Sequence, residues 1–113
     1  MEFKYIEEVL KSECVGLRVC IRGWIYRRSV VGKKAFVRVR DSTGVVQVVV
    51  DASKLGEKLV NELKDIGLEA SVIACGLVRE SERAPGGFEI EADYFTIIGY
   101  SRDFPIKGGE GVD

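Results

Sequence analysis

The 113-residue sequence predicts an all-β domain, a small barrel of five strands with one helix between the third and fourth strands and a short helix at the N-terminus. Three observations support this prediction. From residue 17 onward, apolar and polar residues alternate with the period of two that half-buried strands show. Turn sequences rich in Gly, Asp, Ser and Pro divide this pattern into five stretches. One stretch with helical spacing interrupts the series after the third strand.

Turn residues set the boundaries of the five predicted strands. Gly23 lies near the middle of the long first strand, where a glycine marks a bend or a bulge. Asp41 and Gly44 occupy the first and fourth positions of a tight turn, because Asp can bond the backbone nearby and Gly tolerates positive φ. A Pro-Gly-Gly turn precedes the last strand. The predicted strands span residues 17–28, 35–41, 45–50, 71–80 and 88–100, and the first hairpin loop spans 29–34.

The spacing of apolar residues predicts two helices. Ile6, Val9 and Leu10 recur at helical intervals, which indicates a short helix near the N-terminus. The second predicted helix covers residues 53–66 and ends before Gly67, a residue suited to a helix C-terminus. The apolar face of this second helix is predicted to consist of Leu55, Leu59, Leu63 and Ile66.

Three strands, a helix and two strands, in that order, are typical of the OB-fold. This five-stranded Greek-key barrel binds oligonucleotides on the face of its second and third strands. The alternation alone is also compatible with another small barrel, and the position of the helix favours the OB-fold. We therefore predict one OB-fold domain at residues 1–106, followed by a glycine-rich linker at 107–113.

Composition argues against several other classes of protein. No apolar run approaches the ~20 residues that cross a bilayer, and the N-terminus lacks the features of a signal peptide, so we expect a cytoplasmic protein without membrane contact. The chain contains no His, and Cys14, Cys20 and Cys75 lack metal-site spacing, so we expect buried thiols, no disulfide and no metal. Nothing resembles a nucleophile–base pair or a phosphate-binding loop, so we expect no catalytic residue and no cofactor in this chain.

The charges are unevenly distributed along the chain. The net charge is -1, but eight of the seventeen basic residues fall between Glu13 and Asp41, a segment without acidic residues. Such a segment can attract phosphates although the whole chain is slightly acidic, while a solvated charged face is the plainer explanation. The eight residues are Arg18, Arg22, Arg27, Arg28, Lys33, Lys34, Arg38 and Arg40.

Three further residues are candidates for contact with nucleic-acid bases. If Val37 and Val39 fill the barrel, Phe36 must lie on the outer face, where its ring can stack on a base. Gln47, the only Gln in the chain, interrupts an aliphatic strand and can both donate to and accept from a base edge. Glu89 can only accept, which suits a base edge with N–H donors. The plainer alternatives are a ring packed under a loop and polar side chains exposed to solvent.

Separated motifs resemble one known family. The segments GWIYRR (23–28), FVRVRDSTGVVQ (36–47) and GFEI (87–90) are similar to the N-terminal anticodon-binding domain of class IIb aminoacyl-tRNA synthetases, over residues 15–106. Within that family, RDSTG, APGG and DFPI are most similar to archaeal asparaginyl enzymes, with aspartyl enzymes second. The resemblance implies that Phe36 stacks on an anticodon base, that Gln47 bonds the central uracil and that Glu89 contacts the loop.

The resemblance also implies a partner and a parent enzyme. The partner is a tRNA anticodon loop, whose phosphates we expect to contact Arg27, Arg28, Lys33, Lys34, Arg38 and Arg40. ATP and Mg²⁺ are expected only in a catalytic domain, which a barrel of this size cannot contain. The parent is expected to form a homodimer whose contacts lie largely in that catalytic domain. The present domain is therefore compatible with a monomer. Members often carry a third Arg where Ser29 stands, so the resemblance implies no phosphate or base contact for that position.

Two alternatives remain beside the anticodon domain. A free-standing single-strand binder would use the same aromatic and basic surface without sequence preference. An enzyme acting on its own is the least favoured, because the sequence offers no catalytic motif. The anticodons of asparaginyl and aspartyl enzymes share their first two bases, so Phe36, Gln47 and Glu89 cannot separate the two.

Overall fold

Five paired strands close the sheet into a barrel. The computed structural model describes residues 1–67 and 69–99. The strands are β1 (Arg18–Val31), β2 (Lys34–Arg40), β3 (Val45–Asp51), β4 (Ser71–Glu80) and β5 (Phe88–Gly99). Their order around the barrel is β1-β2-β3-β5-β4, with β3 and β5 parallel and the other pairs antiparallel. This arrangement confirms the predicted five-stranded Greek-key OB-fold.

The inward-facing side chains of every strand fill the barrel. Val37 and Val39 on β2 are fully buried, as the alternation predicted, and Ile90 on β5 is buried beside them in the core. The side chains that alternate with these two valines along β2 therefore point outward. Further fully buried core residues from the strands are Ile21, Ile25, Val46, Val48, Val50 and Val72.

The first hairpin is longer than the sequence predicted. Val31 on β1 pairs with Lys34 on β2, which reduces the predicted six-residue loop to a two-residue turn at Gly32 and Lys33. Gly32 has φ +60°, as the tight turns that join twisted strands require. Backbone pairing across the hairpin extends both strands beyond the residues in which apolar and polar side chains alternate clearly.

A bulge interrupts β1, but not at the glycine where we expected it. A Cβ at Gly23 would overlap the backbone carbonyl of Arg40, so the glycine allows a close approach of two strands. The register shift lies between Ile25 and Arg27, which leaves Tyr26 as the extra residue.

The N-terminal helix is present, and the second helix differs from its prediction. Helix α1 (Ile6–Val9) buries both of its terminal residues completely, and a 3-10 turn at Ser12–Cys14 follows it. The helix predicted at 53–66 is divided into α2 (Ala52–Leu55) and α3 (Glu57–Asp65). The division occurs at Gly56, whose φ of +95° lies outside the helical region.

The apolar face of the second helix is also shifted. Val60 and Leu63 are buried, together with Ile66 just after α3, whereas Leu55 and Leu59 are only partly buried and pack at the edge of the core. The break at the glycine rotates the first turn relative to the second, so one continuous helical stripe no longer describes both pieces.

Two of the cysteines are joined, which corrects the expectation of three free thiols. Cys20 on β1 and Cys75 on β4 are partners in the antiparallel ladder, and a disulfide connects them with the Cα atoms 4.0 Å apart. Cys14 is free. The two bonded residues are separated by 55 positions, and only the pairing of non-consecutive strands brings them together.

Other predictions concern features outside the barrel core. Within residues 1–67 and 69–99, no helix is both long and apolar enough to cross a membrane. The same residues contain no group of three or more His, Cys, Asp or Glu side chains placed to hold a metal ion. The predicted linker at 107–113, the motif at 103–106 and the predicted end of the last strand at residue 100 lie outside the described residues.

Candidate nucleic-acid interface

The outer face of β2 and β3 carries the predicted base-contacting residues. Phe36 and Arg38 alternate with the two buried valines of β2, so both point away from the core, and both are partly exposed. Phe36 is the ladder partner of Val49 and therefore the diagonal neighbour of Gln47, two residues earlier on β3. Diagonal neighbours in such a pair lie about 7 to 8 Å apart, within reach of an aromatic ring and a long side chain.

Gln47 and Glu89 are in direct contact on this face. They are partners in the parallel pairing of β3 with β5, and Gln47 Nε2 donates a hydrogen bond of 3.1 Å to Glu89 Oε1. Both are buried, with relative exposures of 9% and 6%. The sequence marked both residues as candidates for contact with bases, but it did not predict that they are bonded to each other.

The bond to Glu89 determines which way the Gln47 amide faces. A carboxylate has no proton to donate, so the amide must present its NH₂ group to Glu89. Among residues 1–67 and 69–99, the amide oxygen and the second amide proton of Gln47 have no hydrogen-bond partner, so both can serve another molecule. The assignment of nitrogen and oxygen, which electron density often leaves open, follows here from the chemistry of the neighbour.

Arg79 completes this network and was not among the residues predicted from the sequence. Its Nε donates to Glu89 Oε2 over 2.6 Å, so each oxygen of Glu89 has one partner. Arg79 Nη1 also lies 3.4 Å from Glu91 Oε2, which accepts from Lys54 Nζ over 3.1 Å. A usable signal was present, because Arg79 and Glu89 stand at matching positions on either side of the β4–β5 turn.

The electrostatics of the face are balanced by these contacts. The hydrogen bond from Lys54, aided by the charges of Arg79 and Lys34, lowers the pKa of Glu91 below its ordinary value although burial acts in the opposite direction. Glu91 is therefore ionised at neutral pH, and Lys54 and Arg79 offset its charge and that of Glu89. The carboxylates consequently do not make the face repulsive to phosphate.

The bulge at Tyr26 determines which of two adjacent arginines faces outward. Arg27 pairs with the outward-facing Arg38, whereas Arg28 pairs with the buried Val37 and so points to the inner side of β1. Arg28 Nη2 donates to the backbone carbonyl of Lys64 over 2.9 Å, in the last turn of α3. The predicted contact of Arg28 with RNA stays a prediction, and the structure gives its guanidinium a bond within the protein.

The other predicted basic residues differ in their availability. Lys34 is exposed on the same face as Phe36, and Lys33 is exposed in the turn at the tip of the hairpin. Arg40 faces outward but pairs with Glu69 over 2.8 Å. Its guanidinium lies 5.8 Å from the exposed ring of Tyr26, and that of Arg27 lies 6.0 Å from the same ring.

Two basic residues of the same charge-rich segment lie away from this face. Arg18 is paired with Asp93 over 2.7 Å, and Arg22 stacks over the ring of Phe3 at 4.7 Å. Arg22 and Phe3 line a cavity of about 460 Å³ together with Trp24. That cavity does not include the network around Gln47, as expected if the interface is an open surface that accepts an extended strand rather than an enclosed pocket.

The five strands thus place complementary groups in two adjacent rows. One row, Arg27, Arg38, Gln47, Glu89 and Arg79, crosses all five strands through successive ladder partners. The next row contains Phe36, Val49 and Glu91. A ring for stacking, an amide with a free acceptor and outward-facing cations are the groups that sequence-specific recognition of single-stranded RNA uses.

The chain matches a protein family over most of its length. Residues 19–98 match the tRNA anticodon family, described as an OB-fold nucleic acid binding domain. The asparagine–tRNA ligase of Pyrococcus furiosus is 42% identical over 106 residues, which is 94% of this chain and 24% of that protein. The corresponding ligase of Pelotomaculum thermopropionicum is 43% identical over 99 residues, 87% of this chain and 23% of that protein.

Solved structures agree with these matches. The crystal structure of asparaginyl-tRNA synthetase from Pyrococcus horikoshii complexed with asparaginyl-adenylate superposes with a TM-score of 0.83 at 43% identity, covering 94% of this chain and 24% of that one. An aspartyl tRNA synthetase from Entamoeba histolytica has a TM-score of 0.79 over 89% of this chain and 22% of that one, but its 20% identity shows a shared fold alone. The chain spans about a quarter of the length of the relatives it matches.

Proposed function

The chain belongs to the tRNA anticodon family of OB-fold nucleic acid binding domains, and from this membership we propose that it recognises the anticodon loop of tRNA for an asparaginyl-tRNA synthetase. The asparaginyl assignment is supported by relatives named asparagine–tRNA ligase that are 42 and 43% identical over 94 and 87% of the chain. The aspartyl alternative has less support, because the aspartyl structure is only 20% identical.

The fixed orientation of the Gln47 amide carries the proposal. With NH₂ turned toward Glu89, the Gln47 carbonyl can accept the N3–H of a uracil while its second amide proton donates to a uracil oxygen. A cytosine in the same position presents an acceptor at N3, so the same carbonyl would meet an acceptor instead of a donor. For a base held in that position, uracil is therefore the pyrimidine that this site favours.

Neighbouring groups supply affinity and position. Phe36 stacks on an unpaired base beside the one that Gln47 reads, and such stacking contributes about 1 to 3 kcal/mol per base. Arg27, Arg38, Lys33 and Lys34 contact phosphates and hold the loop on the face without reading its sequence.

We propose that the catalytic activity of a whole synthetase belongs to a part of the enzyme other than this domain. We assign ATP, Mg²⁺ and the ligation of asparagine to the remainder of a parent enzyme, since the chain spans only 24% of the Pyrococcus furiosus relative. We also place in that remainder the contacts of a homodimer, and we propose that the parent acts in the cytoplasm.

Binding to short stem-loops tests the proposal. Anticodon stem-loops with GUU, GUC, GCU and a scrambled sequence are titrated with the chain, and the dissociation constants are measured at one fixed salt concentration, because phosphate contacts make affinity salt-dependent. We expect the two loops with a central uracil to bind more tightly than GCU and the scrambled loop. Equal affinity for all four would leave only a nonspecific single-strand binder.

A variant of Gln47 identifies the reader. Gln47→Met keeps the length of the side chain and removes its hydrogen-bonding groups, so the preference for GUU over GCU should fall by about 1 to 3 kcal/mol. Asn61→Ala is the matched control, because Asn61 carries the only other side-chain amide and lies exposed on α3. A Gln47 variant that weakens GUU and GCU alike would show that the residue does not discriminate between them.

A further inference from the structure

We propose that Arg79 is a positioning residue that makes the Gln47 amide selective, although Arg79 itself need not touch the RNA. This inference rests on the proposed function and extends it to a residue that neither the sequence motifs nor the family resemblance singled out. Arg79 is 32 positions from Gln47 in the chain and two strands away along the row of ladder partners that includes Glu89.

The first step is the geometry of Glu89. Its Oε1 accepts from Gln47 and its Oε2 accepts from Arg79 Nε, so the carboxylate is held at both oxygens in a site that is 6% exposed. A carboxylate held only by Gln47 could rotate about its last side-chain bond. The strong charge-assisted bond of 2.6 Å to Arg79 prevents that rotation and keeps one oxygen facing the amide.

The second step is the charge. A buried carboxylate needs a cationic partner, and the guanidinium of Arg79 contacts Glu89. Without it, burial of the unpaired carboxylate is unfavourable, and Glu89 gains by turning toward solvent. Gln47 then has no carboxylate to which it must present NH₂, so its amide can flip and expose the wrong group to the base.

The third step is the anchoring of Arg79 itself. Its Nη1 lies 3.4 Å from Glu91 Oε2, and Lys54 at the start of the helical region also binds that oxygen. A planar guanidinium that contacts two carboxylates is restricted in its orientation in a way that a lysine ammonium is not. The contacts therefore form one chain, from Lys54 through Glu91, Arg79 and Glu89 to Gln47.

Nuclear magnetic resonance can observe this orientation without RNA. The chain contains one Gln and one Asn, so its ¹⁵N–¹H spectrum has two pairs of side-chain amide signals, and the exposed Asn61 serves as an internal reference. We expect the Gln47 pair to exchange slowly with water and to be well dispersed. In Arg79→Met the chemical shifts and the water-exchange rate of the Gln47 pair should move toward those of Asn61. In Arg79→Lys they should lie between the values of the unaltered chain and those of Arg79→Met. An unchanged Gln47 pair in Arg79→Met would overturn the proposal.

Binding measurements then separate positioning from direct contact. The ratio of the dissociation constants for GCU and GUU loops should be about 5 to 150 in the unaltered chain. Arg79→Met should bring this ratio toward 1 by weakening GUU while GCU is bound as before, with Arg79→Lys between them. Arg83→Met removes the same charge from the exposed turn after β4 and should leave the ratio unchanged.

The possible failures are distinguishable. If Arg79→Met weakens both loops equally and keeps the ratio, Arg79 is an RNA contact and the positioning role is wrong. If the unaltered chain does not prefer GUU over GCU, the proposed function fails whatever the spectra show. If Arg79→Met does not fold, Arg79→Lys retains the charge, and the same comparison of spectrum and ratio decides the question.

Discussion

Arg27 and Arg28 are consecutive residues whose side chains lie on opposite sides of β1. Arg27 pairs with Arg38 on the outer face, and Arg28 pairs with the core residue Val37 and donates to the carbonyl of Lys64. Consecutive strand residues point to opposite faces, and the bulge at Tyr26 decides which arginine faces outward, because one extra residue reverses the alternation beyond it. Two arginines that look equivalent in the sequence are therefore expected to have different functions.

The matched substitutions Arg27→Ala and Arg28→Ala test this division. Arg28→Ala removes a donor to one of the unpaired carbonyls at the end of α3, so the free energy of unfolding should fall by about 1 kcal/mol. Arg27→Ala should leave stability nearly unchanged and weaken every RNA loop alike, with a smaller dependence of affinity on salt. Urea unfolding and titrations at two salt concentrations measure both effects. An Arg28→Ala protein with normal stability and poor RNA binding would assign Arg28 to the interface.

Substitutions of Phe36 distinguish stacking from packing. Phe36→Leu keeps an apolar side chain beside Val49, which is 2% exposed, so stability should change little. The same substitution removes the aromatic face, and affinity for all loops should fall by about 1 to 3 kcal/mol. Phe36→Ala should lose similar affinity and also some stability, because the ring is partly buried. Full RNA affinity in Phe36→Leu would show that the ring is only a packing element.

The disulfide between Cys20 and Cys75 should contribute to stability. Closing a loop of 55 residues restricts the unfolded chain by about 4 kcal/mol in the chain-entropy treatment. A reducing agent should therefore lower the melting temperature of the chain, and the double substitution Cys20→Ser with Cys75→Ser should be insensitive to reductant. Thiol titration of the unfolded, unreduced chain should find one free thiol, Cys14. Three reactive thiols would contradict the cross-link.

Asp41 should make stability dependent on pH. Burial alone would raise its pKa, but the hydrogen bonds from Thr43, Ile6 and Gly44 outweigh this effect and hold the pKa below the ordinary value. A carboxyl with a lowered folded-state pKa stabilises the protein above its unfolded pKa of about 4, and the contribution is lost as the pH falls through the folded value.

The variant Asp41→Asn isolates this contribution. The free energy of unfolding is measured with urea between about pH 6 and about pH 2.5, the range in which carboxyl groups titrate. As the pH falls, the unaltered chain should lose stability more steeply than Asp41→Asn. Asp51, Glu91 and Asp93 also have lowered pKa values, but they are present in both proteins and cancel in the comparison. Identical curves would show that Asp41 has the same pKa in the folded and unfolded chains.

Local features of the fold were predictable because each depends on neighbours in the chain. The bounds of β4 agree with the prediction, and the outward position of Phe36 follows from the period of two in β2. The turn at Asp41 also forms as expected, with Asp41 Oδ1 accepting from the amides of Thr43 and Gly44. The second contact of Asp41, from the amide of Ile6, joins residues 35 positions apart and could not be inferred from the turn sequence.

The sequence by itself determined which residue types lie on the outer face of β2 and β3, because alternation in a strand assigns every side chain to one face or the other. Tertiary structure alone decided how those residues act. The parallel pairing of β3 with β5 joins Gln47 to Glu89, the β4–β5 register adds Arg79, and the bulge at Tyr26 turns Arg28 away from the face. These outcomes depend on register between strands, which a one-residue shift reverses and which no local pattern records.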